Sequence, residues 1–137
     1  MGKLKVIDFF SGCGGSSLGI EQAGLDMVLA VDLWEDACKT HELNIDCPVW
    51  CKDINLIEAS ELPECDVIIG SPPCQRFSQA NYYSRDYDDS LVKRFMEIVE
   101  QVNPKYWVWE NVVGAKRAMP GVCLDVQLEI LEQFYFF

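Results

Sequence analysis

The sequence predicts an α/β protein, a Rossmann-like, doubly wound and mostly parallel sheet with helices on both faces. Two observations carry that prediction. Short β-prone runs alternate with helical stretches, and the runs are apolar almost throughout, as strands covered on both faces are. The residues with the most chemical character all follow such runs, where open parallel sheets bind their ligands.

Residues 4–9 form the first predicted strand. Residues 16–23 suit a helix, with Gly24 as its C-cap. MVLAV, residues 27–31, is a second buried strand. Residues 35–43 are a helix that opens on two acids, which favour the positive end of its dipole. Short strands are expected at 49–51 and 67–69. Apolar residues at 91, 92, 95, 98, 99 and 102 recur at helical spacing, so 91–102 is a helix, with Pro104 beyond its end. YWVW, residues 106–109, is a strand. Residues 122–134 read as a helix, and the closing aromatics would begin one more strand. In this topology the first and fourth strands are neighbours.

A chain of 137 residues fits one domain. At that size roughly two-thirds of the unfolded surface can be buried, so no disulfide or metal is needed for folding. No apolar stretch approaches the ~20 residues of a membrane span. MGKLKV runs straight into a strand, which reads as no signal peptide, and Val6 stands where myristoylation favours Ser or Thr. The seven cysteines are odd in number and scattered. They read as reduced thiols in a cytoplasmic protein (nuclear if the source is eukaryotic) that is not secreted. Cys47 and Cys51 are the one close pair. With no second pair, and with His41 on another predicted element, a zinc site is not expected. The net charge of −11 opposes phosphate binding, so the chain alone should bind nucleic acid weakly.

Three stretches carry chemistry. FSGCGG, residues 10–15, lies between the first strand and its helix, where glycines permit a tight turn and close approach to a ligand. It departs from the G-x-G-x-x-G dinucleotide pattern, which disfavours NAD. Asp32 ends the second strand at the distance expected of an acid that holds ribose hydroxyls; it would also serve as a helix N-cap. GSPPCQRFS, residues 70–78, ends the fourth strand with two prolines that cannot sit in a sheet interior. Such a stiff turn would hold Cys74 at its tip as a nucleophile, and the bland alternative is a buried structural thiol. A Cys-His pair would have His41 alone to draw on. WENV follows the last strand, and Glu110 and Asn111 there could meet a heterocycle edge or simply close a loop.

Taken together, FSGCGG, GSPPCQRFS, WENV and the Asp53-Ile54 pair in KDIN closely resemble the motifs of the cytosine carbon-5 DNA methyltransferases, in order and spacing, across almost the whole chain. The resemblance implies the S-adenosylmethionine-dependent methyltransferase fold of class I, methylation of cytosine in DNA, and a place in restriction-modification. It also implies roles. Cys74 would attack carbon-6 of a flipped cytosine, Glu110 would bond its ring nitrogen and amine, and Asn111 would brace the cysteine loop. Phe10, Gly12, Cys13, Gly14 and Pro73 would shape the S-adenosylmethionine site, Asp32 would take the ribose, and Leu33, Asp53 and Ile54 would meet the adenine, with S-adenosylhomocysteine as product.

The sequence departs from the family pattern at several points. Leu33 and Trp34 follow the ribose acid. DYDDS, residues 86–90, lacks the Asp-x-Arg element. The later arginine motif has no match. The recognition region and final segment are missing after FYFF, so residues 1–137 are expected to be a single truncated cofactor-binding and catalytic portion with an exposed apolar edge. DNA would then be met through a region or second polypeptide outside this chain. The alternatives are an RNA cytosine methyltransferase, a catalytically silent regulatory protein of the same fold, and, more remotely, a small-molecule methyltransferase.

Overall fold

The computed structural model describes residues 2–73 and 90–111. Within them the chain forms β1 (Lys5–Phe9), α1 (Gly15–Gln22), β2 (Asp26–Asp32), α2 (Glu35–Asn44), β3 (Val49–Cys51), β4 (Val67–Gly70), α3 (Ser90–Val102) and β5 (Tyr106–Trp109). Two 3₁₀ turns that the sequence pattern did not reveal, Ile54–Leu56 and Ala59–Glu61, lie between β3 and β4. The sheet order is β3-β2-β1-β4-β5, and every neighbouring pair is parallel. The topological switch point therefore falls between β1 and β4, as the sequence predicted.

The alternation of side chains along β1 divides the molecule. Ile7 and Phe9 join Leu29, Val31, Ile68 and the buried face of α3 in the larger core cluster. Val6 packs with Met27, Ala30 and Val67 on the opposite face, with Ile20 of α1 against them. Asp8 has the parity of Val6, so β1 delivers a buried carboxylate under α1.

Helix α3 is the most amphipathic element, with Val92, Phe95, Met96, Ile98 and Val99 buried. Its approach to the sheet depends on Gly70. A Cβ there would stand 2.4 Å from the Phe95 ring, far inside contact distance. Phe95 packs edge-on to Phe9 at 6.1 Å and tilted against Phe10 at 6.4 Å between ring centroids. Arg94 ties the same helix to the 3₁₀ segment by donating to the Ile54 and Ile57 carbonyls at 3.4 and 2.6 Å, and it pairs with Glu97 at 2.9 Å.

Element ends differ from the sequence reading by a residue. Ala23 is the C-cap of α1, and Gly24 follows it at φ +81°, the left-handed position just past a helix end where glycine is favoured. Asp32 is not the N-cap of α2; Trp34 holds that position. The predicted helix at 122–134 and the closing strand lie outside the described residues, as does the C-terminal edge. No helix among the described residues is long and apolar enough to cross a membrane.

Candidate active site

The carboxyl ends of β1, β2 and β4 surround a cleft of about 240 Å³. Phe10, Asp32, Leu33, Asp53, Ile54 and Pro73 line it, all of them singled out in the sequence. Gly12, Cys13 and Gly14 do not line it directly. They form the turn that brings Phe10 to its wall.

That turn is shaped by backbone geometry. Phe10, Gly12 and Gly14 have φ of 59°, 52° and 96°. Phe10 is thus a side-chain-bearing residue held in the left-handed region, a conformation that its surroundings must enforce. The Ser11 amide donates to the Val31 carbonyl at 3.1 Å, and the Gly14 amide donates to the Ser11 carbonyl at 3.0 Å. A side chain at Gly14 would be crowded, since a Cβ would lie 3.0 Å from His41 Cδ2 and 3.1 Å from Ile45 Cγ1, and φ of 96° would strain it.

Asp32 is fixed from both sides. Its Oδ2 accepts from the Gly12 amide at 2.8 Å and its Oδ1 from the Trp34 amide at 2.8 Å. Each carboxylate oxygen keeps a second lone-pair direction, so a diol could still be held here. Asp53 caps the first 3₁₀ turn, accepting at Oδ1 from the Asn55 amide at 2.9 Å and from Asn55 Nδ2 at 3.0 Å. Ile54 is buried and Leu33 is 69 % exposed, which places an anchored and an open apolar side chain around one cleft.

Sequence reasoning missed several wall residues. Ser71 donates its hydroxyl to the Phe10 carbonyl at 3.4 Å, joining the loops after β1 and β4. Leu91 of α3 and Lys52 complete the lining. Lys52 pairs with Glu61 at 3.2 Å and lies 5.7 Å from the Trp50 ring centroid. Leu91 was readable as part of a helical stripe, but nothing in its spacing marked it as facing a ligand.

Beyond β4 and β5 the chain continues in parallel. The Glu110 amide donates to the Gly70 carbonyl at 3.0 Å, and Asn111 Nδ2 donates to the Pro72 carbonyl at 3.5 Å. Glu110 and Asn111 thus stand beside the two prolines that precede Cys74, which itself lies outside the described residues. Three other thiols are held protonated. Burial, together with Cys51 and Asp32, pushes Cys38 up to about 12. Burial and neighbouring acids push Cys47 and Cys65 up to about 11. These three are poor nucleophiles at neutral pH.

A family model described as C-5 cytosine-specific DNA methylase matches residues 4–137. The chain belongs to that family. Among its relatives, the type II methyltransferase M.XorII of Xanthomonas oryzae is 41% identical over 120 residues, which cover 79% of this chain and 28% of the relative. M1.HphI of Haemophilus parahaemolyticus is 37% identical, covering 96% and 37%. M.HindV of Haemophilus influenzae is 35% identical, covering 98% and 44%. The chain therefore spans less than half the length of each of these relatives. The crystal structure of the S. pombe Dnmt2 methyltransferase superposes with a TM-score of 0.72 at 25% identity, covering 93% of this chain and 41% of that one. An E. coli prophage protein described as a DNA modification methyltransferase superposes at 0.76 with 31% identity, covering 95% and 37%. The fold is accordingly the α/β Rossmann-like fold of the class I methyltransferases, with all five described strands parallel.

Proposed function

We propose that this chain is the cofactor-binding and nucleophile-bearing part of an enzyme that methylates carbon-5 of cytosine in DNA. One observation carries the reading. Pro73, the residue before Cys74, lines the same cleft as Asp32 and Asp53. A ligand whose ribose sits on Asp32 and whose adenine reaches Asp53 would extend along that wall toward the Pro-Cys turn.

The residues present suit S-adenosylmethionine. Asp32 has lone pairs for two ribose hydroxyls. Asp53 Oδ2 has no partner among the described residues and can take an exocyclic amine. Ile54 and Leu33 offer apolar surface to a purine. The cofactor would supply an electrophilic methyl group. Cys74, as thiolate, would add to carbon-6 of the cytosine and so raise electron density at carbon-5. Glu110 would hydrogen-bond the ring nitrogen and amine as charge builds on the ring. After methyl transfer, loss of the carbon-5 proton would expel Cys74 and restore the ring. Asn111, through the Pro72 carbonyl, would hold the cysteine turn in place.

DNA is the proposed substrate. Its recognition would come from a region that this chain's span of its relatives does not include, or from a second polypeptide. The test is titration calorimetry with S-adenosylhomocysteine, followed by methyl transfer to duplex DNA with that region supplied. Saturable binding lost in Asp32→Ala, with transfer lost in Cys74→Ser, is the expected result. Transfer that survives Cys74→Ser would overturn the mechanism. Transfer to RNA in place of DNA would overturn the substrate.

A further inference from the structure

Behind the glycine loop lies a buried polar chain that the proposed chemistry does not use. Ser16 and Ser17 of α1 both donate to Asp8 Oδ2, Ser17 at 2.7 Å. His41 Nε2 lies 2.9 Å from Ser17 Oγ. Asp8, Ser17 and His41 are each no more than 1% exposed. This is not a hydrolytic triad. The serine sits in the middle, where catalysis would need the histidine, and none of the three reaches solvent.

Counting protons fixes the direction of the chain. A serine hydroxyl has one proton, and with Asp8 ionised Ser17 gives it to that carboxylate. Toward His41 it can only accept. The imidazole must then carry its proton on Nε2. His41 Nδ1 is buried with no partner among the described residues. A bare ring nitrogen is tolerated there more cheaply than an unanswered N–H. The same ring packs against Gly14, where a Cβ would stand 3.0 Å from it. The chain therefore links β1, α1 and α2 beneath the turn that carries Phe10 to the cleft. Asp8 is the acid within this chain, Asp32 of β2 acts on it through its charge, and the Cys47 thiol beyond α2 also senses Asp8.

We propose that His41 is a positioning residue of the cofactor cleft, held as the Nε2–H tautomer and anchoring the glycine loop to Asp8 through Ser17. This rests on reading that cleft as the cofactor site, and the test separates the two. The chain has a single histidine, so ¹⁵N spectra of its ring are unambiguous. They should show the Nε2–H tautomer with a slowly exchanging proton; an Nδ1–H ring would overturn the proposal.

Amide exchange at residues 11–15 gives a readout independent of any ligand. His41→Phe keeps an aromatic ring against Gly14 but removes the donor, and should speed exchange about tenfold. His41→Gln restores an N–H donor near the Nε2 position and should return exchange to within about threefold of wild type. Ser17→Ala should match His41→Phe, and the double variant should be no worse than either, since the residues act as one chain. Loop exchange unchanged in both single variants, or His41→Gln as fast as His41→Phe, overturns the anchoring.

S-adenosylhomocysteine affinity should fall about tenfold in His41→Phe, in parallel with the exchange. Unchanged affinity in His41→Phe overturns the link to the cleft. A wild-type chain that binds no S-adenosylhomocysteine, yet shows the expected tautomer and exchange, refutes the cofactor reading and leaves the anchoring intact.

Discussion

The two flanks of the cleft are built on different physics. On the β1–β2 side, directed hydrogen bonds set the shape. Asp32 grips two backbone amides, and Asp8 grips two serine hydroxyls. On the β4–α3 side, volume sets it. One ring, Phe95, fills the space over Gly70 and braces Phe9 and Phe10. Polar positioning is sensitive to donor and acceptor identity, and losing one bond costs about 1–3 kcal/mol where it strands a buried group. Packing is indifferent to identity at a given volume but costly when a void opens. Binding and stability should therefore be separable, the first governed by one flank and the second by the other.

The largest effect should come from Phe95→Ala, with a loss of about 3–5 kcal/mol in denaturant unfolding. The fraction that stays folded should bind S-adenosylhomocysteine within about threefold of wild type. A much larger drop in affinity would mean that the ring shapes the polar flank as well.

Gly70→Ala should cost about 1–3 kcal/mol through overpacking. Adding Phe95→Leu should recover part of that loss. A sum of two independent losses would break the claim that one contact governs this flank.

Arg94→Met should cost about 2 kcal/mol by leaving the Ile54 and Ile57 carbonyls without their charged donor. The loss should appear in thermal melts and as faster amide exchange in the 3₁₀ segment.

On the polar flank the expected effects on stability are smaller and depend on pH. Burial raises the Asp8 carboxyl above its ordinary value of 3.8, against the lowering influence of Ser16 and Ser17. The native state thus holds that proton more tightly than the unfolded chain does. Its contribution is complete below the ordinary value and is lost as pH rises through the raised one. Wild type should therefore lose stability relative to Asp8→Asn across that window in pH-dependent melts. An opposite slope would show that the serine hydrogen bonds outweigh burial.

Smallest of all should be the surface pair of Lys105 and Asp66, 2.5 Å apart. The hydrogen bond from Lys105 and that from the Lys5 amide hold the Asp66 carboxyl below 3.8, so its contribution is present above that value and lost in acid. Lys105→Ala should lower the melt slightly at neutral pH and leave it unchanged in acid, where the carboxyl is already protonated.

Much of the fold was legible because its signals are local and repeated. Apolar runs marked the strands, the stripe from 91 to 102 marked α3, and residues at strand ends marked the cleft. Asp32 was readable as an acid after a strand, and Asp53 through the family resemblance of KDIN. That each is engaged by neighbouring amides was not, because those bonds depend on φ and ψ in the turns. The 3₁₀ turns were missed, since INL and ASE carry no periodicity. His41 was read only as the one histidine that a Cys-His pair could draw on, and its bond to Ser17 follows only from how α2 packs on α1. Leu91 and Ser71 enter the cleft through tertiary placement that no spacing encodes.

Gly70 has a practical consequence for anyone who would transplant the Pro-Pro-Cys segment that follows β4 into another sheet. The point at which the chain departs from β4 is seated by an aromatic ring that belongs to a later helix. A graft of residues 70–78 alone would carry the hinge without its stop. To travel intact, the segment needs an aromatic side chain from a neighbouring helix standing where the glycine has none.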